Sequence, residues 1–103
     1  MQSVKIIECP RDAMQGIIEF IPTKKKIEYL NALLKVGFNT LDCGSFVSEK
    51  SIPQMADTKL IIPHLKLEDT DTKLSVIVAN TRGAEEATEF DEITYIGYPF
   101  SIS

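Results

Sequence analysis

Arg11, Asp12 and Gln15 stand together in the stretch ECPRDAMQG, directly after the apolar run VKII. An exposed arginine–aspartate pair carries little energetic consequence, but a pair set where a buried strand ends has a place to act. Arginine stays protonated and offers a planar array of donors, which suits it to hold developing negative charge. A neighbouring aspartate suits a hard divalent cation, which prefers oxygen ligands. Further polar residues gather at corresponding places. Asp42 closes the second apolar run with Ser45 and Ser48 after it, Asn80 and Arg82 follow the third, and Ser101 and Ser103 follow the fourth. The carboxyl ends of parallel strands share one rim, so residues far apart in sequence converge there. Charges on such a rim are costly unless they meet a metal, a ligand or one another, which favours a site over a solvated surface.

The elements that must position these groups follow from the apolar pattern. Four short runs, 4–7, 39–43, 74–79 and 93–97, read as strands, the first and third nearly continuous as in strands covered on both faces. Between them lie three stretches with helical spacing. Ile27, Leu30, Leu33 and Leu34 recur at three and four residues, with Pro22 and Thr23 before them and Gly37 just after. A second helix is expected from Asp57, as N-cap, to Leu65, with Leu60, Ile61 and Leu65 inward and a break at Pro63. A third runs from Thr81 to Phe90, capped by Asn80 or Thr81, with Ala84, Ala87 and Phe90 on one side. Alternating strands and helices predict an α/β fold with right-handed crossovers and a parallel sheet, all in one domain over residues 1–103.

Composition narrows the function classes. With 103 residues, 44% of them hydrophobic, the chain can build one modest core. A net charge of −4 without a basic stripe argues against nucleic-acid binding. Lys24, Lys25 and Lys26 form the one charge run and read as a solvated helix face. Neither a secretory leader nor a membrane span is expected, so the protein is expected to be cytoplasmic. Cys9 and Cys43 read as reduced, buried thiols, Met14 and Met55 as packing residues, and His64 as a surface or packing residue.

Three segments in order, VKIIECPRDAMQ, TLDCGSFVSEKSIPQMAD and VIVANTRGAEEA, resemble the N-terminal part of the hydroxymethylglutaryl-CoA lyase family of metal-dependent TIM-barrel enzymes. The resemblance implies the N-terminal half of a (β/α)₈ barrel, with four strands and three helices. It implies that Arg11 contacts the substrate carbonyl and stabilises an enolate, that Asp12 binds Mg²⁺ or Mn²⁺, and that Asp42 orients the arginine and the proton-transfer machinery. Gln15 and Ser45 would line the substrate site. The family usually has glutamate where Asp42 stands, a methylene longer, and glycine at the positions of Cys9 and Ala13. The implied reaction is cleavage of a carbon–carbon bond in an acyl-CoA to give acetyl-CoA and acetoacetate, which requires positive charge at the developing enolate and a base for the hydroxyl proton. Claisen-type synthesis is the neighbouring alternative, and a non-catalytic half-barrel that binds an acyl-CoA or a protein partner is another.

One carboxylate leaves a magnesium ion almost fully hydrated, and the resemblance implies that the remaining metal ligands, including a His-x-His pair, lie beyond residue 103. A (β/α)₈ barrel takes about 250 residues, and the 103 residues alone are expected to be inactive. Two open strand edges and an uncovered sheet face invite association, with a homo-oligomer as one form it could take.

Overall fold

Four parallel strands stand side by side in chain order in the computed structural model, which describes residues 7–47 and 52–98, without the side chains of residues 7, 8 and 12. The strands are β1 (Ile7–Glu8), β2 (Thr40–Phe46), β3 (Lys73–Val78) and β4 (Ile93–Gly97). Each adds to the same side of the one before it. Such one-way growth builds a barrel wall, whereas a doubly wound sheet reverses at a switch point. The expected parallel α/β fold is therefore present as part of a barrel. Of the first expected strand only Ile7 and the following Glu8 are seen, since residues 4–6 lie outside the described residues.

The helices cover one face of this sheet. Helix α2 (Thr23–Val36) buries Leu30 and Leu34 and ends at Gly37, whose φ of 88° is the left-handed conformation that glycine adopts without strain. Helix α3 (Thr58–Ile61) continues as a 3-10 turn over Ile62–His64, the break expected from Pro63. The buried residues are Thr58, Ile61, Ile62 and Leu65, an i, i+3, i+4, i+7 stripe, and Leu60, expected to face inward, lies off it and is 57% exposed. Asp57 stands before α3 but makes no capping bond. Helix α4 (Thr81–Thr88) is capped by Asn80, whose side chain accepts from the Gly83 amide at 2.9 Å.

Two elements differ from the sequence expectation. Residues Pro10–Gln15 form a helix, α1, where only a strand-to-helix connection was foreseen. Proline at its first position presets φ, and Met14 drops into the core. Strand β3 alternates rather than being covered on both faces: Leu74, Val76 and Val78 are buried against the helices, while Lys73, Ser75 and Ile77 face the other way.

The core lies between sheet and helices. Leu41, Leu74, Val76 and Val78 meet Leu30, Leu34, Ile61, Ile62 and Ala87, and Phe46 packs on Phe90 with ring centroids 5.6 Å apart. Cys43 is buried as expected, but Cys9, expected to be buried, is exposed where the chain passes from β1 into α1. Among the described residues no helix is long and apolar enough to cross a membrane.

Candidate active site

The pairing of β1 with β2, Ile7 opposite Thr40 and Glu8 opposite Leu41, brings the chain leaving β1 alongside Asp42. Helix α1 begins there and carries Arg11 in its first turn. Arg11 Nε donates to both carboxylate oxygens of Asp42, at 2.8 and 3.0 Å. Its Nη1 donates to Gln15 Oε1 at 2.8 Å, the four-residue spacing that stacks side chains along one helix face. The guanidinium is thus gripped from two directions, and its plane is fixed. The side chains of Arg11 and Asp42 are only 14% and 10% exposed, so the pair is weakly screened by water. Asp42, although a methylene shorter than the glutamate usual in the family that the sequence resembles, reaches the arginine at ordinary hydrogen-bond length.

Asp42 does not close its strand. It is the third residue of a strand that runs on through Phe46, so the apolar run seen in the sequence stops short of the true end. Between Asp42 and Gly44 the register against β3 shifts: Asp42 is opposite Ser75, Gly44 opposite Val76 and Ser45 opposite Ile77. Cys43 is the extra residue of a bulge. In an unbroken strand, residues three apart face opposite ways. The bulge instead brings Ser45 opposite Ile77, in the same alternation phase as Asp42 opposite Ser75. The signal in the sequence was Gly44, a glycine within a strand pattern. A Cβ there would come within 2.6 Å of the Thr58 side chain, so the glycine also permits the close approach of α3.

Ser45 is 2% exposed, and its hydroxyl has no hydrogen-bond partner among the described residues, while its amide donates to Thr58 Oγ1 at 3.2 Å. A buried hydroxyl without a partner costs about 1 to 3 kcal/mol and is available to a bound polar group. Ser45 lines a groove of about 500 Å³ together with Lys59, Asn80, Arg82 and Glu86. The expected convergence of rim residues is therefore partial. Arg11, Gln15 and Asp42 form one cluster, and Ser45, Asn80 and Arg82 line the groove. Arg82 is exposed and pairs with Glu86 at 3.5 Å.

Asp12 follows Arg11 on α1, and its side chain lies outside the described part of the structure, as do Ser48, Lys50, Ser101 and Ser103 entirely. Among the described residues no group of three histidine, cysteine or acidic side chains could hold a metal ion. Burial and the nearby Asp42 charge push the Cys43 thiol up to about 12, so it is neutral and no nucleophile at ordinary pH. His64 is exposed, on the 3-10 turn, as a surface residue. Lys26 departs most from expectation: it is fully buried, whereas Lys24 and Lys25 are exposed as foreseen.

No family model matches the chain. It is 35% identical over 82% of its length to the zebrafish (Danio rerio) cytoplasmic 3-hydroxy-3-methylglutaryl-CoA lyase, of which it covers 25%. It is likewise 35% identical over 82% of its length to the Arabidopsis thaliana mitochondrial hydroxymethylglutaryl-CoA lyase, of which it covers 18%. A solved hydroxymethylglutaryl-CoA lyase from Acinetobacter baumannii, in complex with coenzyme A and 3-methylmalate, superposes with a TM-score of 0.83 at 29% identity, over 93% of this chain and 33% of that one. The chain thus spans about a quarter of the length of the first of these curated relatives. In sequence and in fold it is a homologue of a segment of the hydroxymethylglutaryl-CoA lyases, and its sheet is part of their barrel.

Proposed function

We propose that this chain supplies part of the active site of a hydroxymethylglutaryl-CoA lyase, which cleaves 3-hydroxy-3-methylglutaryl-CoA to acetyl-CoA and acetoacetate. The observation that carries the proposal is Arg11 held between Asp42 and Gln15 where the chain leaves β1. A base takes the proton of the tertiary hydroxyl, the oxygen's electrons form the ketone of acetoacetate, and the adjacent carbon–carbon bond breaks. Its electron pair leaves on the enolate of acetyl-CoA, which is then protonated at carbon. The guanidinium of Arg11 faces the developing negative charge, and because Asp42 and Gln15 already fix it, it need not reorganise as the charge appears. Asp42 is the orienting carboxylate, and Gln15 and Ser45 complete the substrate site.

The cofactor in this proposal is Mg²⁺ or Mn²⁺, with Asp12 supplying one oxygen ligand. Among the described residues no group of three such ligands is present, and the remaining ligands in this proposal are those the family resemblance assigns to other parts of the enzyme. An acyl-CoA as ligand is supported by the coenzyme A in the Acinetobacter relative. Of the relatives named above, one is cytoplasmic and one mitochondrial, and a cytoplasmic location belongs to the proposal.

The test is a steady-state assay of a full-length protein carrying this segment, with hydroxymethylglutaryl-CoA and with or without divalent metal. Arg11→Ala should lower kcat at least ~10²-fold, the scale seen on removing one electrostatic donor, with the fold intact. Near-normal kcat in that variant would refute the role of Arg11.

A further inference from the structure

Gln54, in a 3-10 turn over Pro53–Met55, is 6% exposed and spends its whole amide on the chain between α1 and α2. Nε2 donates to the carbonyls of Ile17 and Glu19, at 3.0 and 2.9 Å, and Oε1 accepts from the Ile21 amide at 2.8 Å. Two carbonyls and one amide facing the same group admit only a carboxamide, and in one orientation. The Gln54 backbone carbonyl accepts from Lys26 Nζ, which also donates to Asp57 Oδ1 at 2.7 Å and lies 4.0 Å from the centre of the Phe20 ring. Thr23 Oγ1 donates to the other Asp57 oxygen at 2.6 Å. Both Lys26 and Asp57 are buried, so their charges are tolerated only because each is paired and hydrogen-bonded.

We propose that Gln54, backed by the buried Lys26–Asp57 pair, is a positioning residue for Arg11. The inference takes its functional meaning from the role given to Arg11 above. Helix α1 has six residues, too few to hold its own shape. Its end is secured from outside: Ile17 closes back on Met14 through its amide at 3.0 Å, and its carbonyl is the one Gln54 holds. Gln15, two residues before, fixes Arg11 Nη1. The grip on Ile17 therefore sets where Gln15 stands, and so the pitch of the guanidinium against Asp42.

The experiment follows the Arg11 Nε–H resonance in the ¹⁵N-labelled protein and needs no substrate, so failure of the lyase assignment and failure of this inference are separable. Gln54→Met keeps the side-chain length and removes all three bonds. It should lower the protection of the Arg11 Nε–H against solvent exchange by ~10-fold or more while the Val76 amide in the core keeps its own, because local openings expose only the groups they contain. Unchanged Arg11 protection in folded Gln54→Met overturns the inference, and an equal fall at Val76 assigns Gln54 a general structural role instead. A second measurement needs no variant. In the unaltered protein the Ile21 amide reports release of the Gln54 clasp, and Arg11 should never be protected beyond it. An Arg11 proton that outlasts Ile21 shows that the guanidinium keeps its place with the clasp open, and overturns the proposal.

Discussion

Replacing Asp42 by asparagine keeps the shape of the side chain and an oxygen to accept from Arg11, and removes only the charge. The contacts at 2.8 and 3.0 Å place the charge centres about 4 Å apart, where two unit charges at an effective dielectric constant of ~20 attract by about 4 kcal/mol. Relief of the aspartate's own desolvation offsets part of that, because its side chain is 10% exposed. A net loss of about 2 kcal/mol is expected, and for a chain of this size it lowers Tm by roughly 8 to 16 °C. The assay is a double-mutant cycle by urea unfolding, using Asp42→Asn, Arg11→Met and the pair. A coupling energy of about 2 kcal/mol is expected. It should survive 1 M NaCl largely intact, since water and ions reach the pair poorly. Coupling below about 0.5 kcal/mol, or its disappearance in salt, is the behaviour of a solvated pair, and either result would refute the geometric basis of the site.

Other consequences are simpler to check. Lys26→Met strands Asp57 as an unpaired buried charge and should cost about 3 kcal/mol, measured by the same unfolding titration, with Lys24→Met nearly silent. A thiol reagent should modify Cys9 in the native protein and reach Cys43 only after unfolding. The folded-state value of Cys43 lies at about 12 against an ordinary 9.0. The unfolded chain therefore loses that proton first, and stability should fall as pH rises above about 9, less so in Cys43→Ala. Gly37→Ala should cost about 1 kcal/mol through its left-handed backbone, with Gly37→Asn milder. Asn80→Ala should cost about 1 kcal/mol through loss of the α4 cap.

The parts of the fold that follow from local periodicity were legible. The ends of α2 follow from Pro22 and Gly37, β4 lies where its apolar run lies, and the α4 cap is one of the two residues expected. What escaped depends on long-range contacts. Helix α1 is too short for periodicity to register and depends on its own Met14 in the core and on Gln54 and Asp42 from outside. Lys26 looks like its two neighbours in sequence, and contacts far along the chain, with Gln54 and Asp57, make it a core residue. The inward placement of Leu60 failed because Leu60 and Ile61 are adjacent, about 100° apart around the helix, and the buried stripe is that of Thr58, Ile61, Ile62 and Leu65. Of the site, Arg11, Gln15 and Asp42 were named together from the sequence and meet in space. The orientation of Ser45 turned on one unpaired residue that hydropathy does not reveal.

That unpaired residue makes the spacing from Asp42 to Ser45 a single inherited unit. Deleting Cys43 would remove the bulge and leave the two side chains two positions apart on β2, the separation that Ser75 and Ile77, their partners on β3, already have. An added residue would have to enlarge the bulge or slip the pairing with β3. Point substitutions, and even loss of the extra residue, leave the pairing with β3 in step, whereas an added one must be taken up by the bulge or by the neighbouring strand. An insertion between these two positions in a functioning relative would accordingly mark a differently built pocket wall.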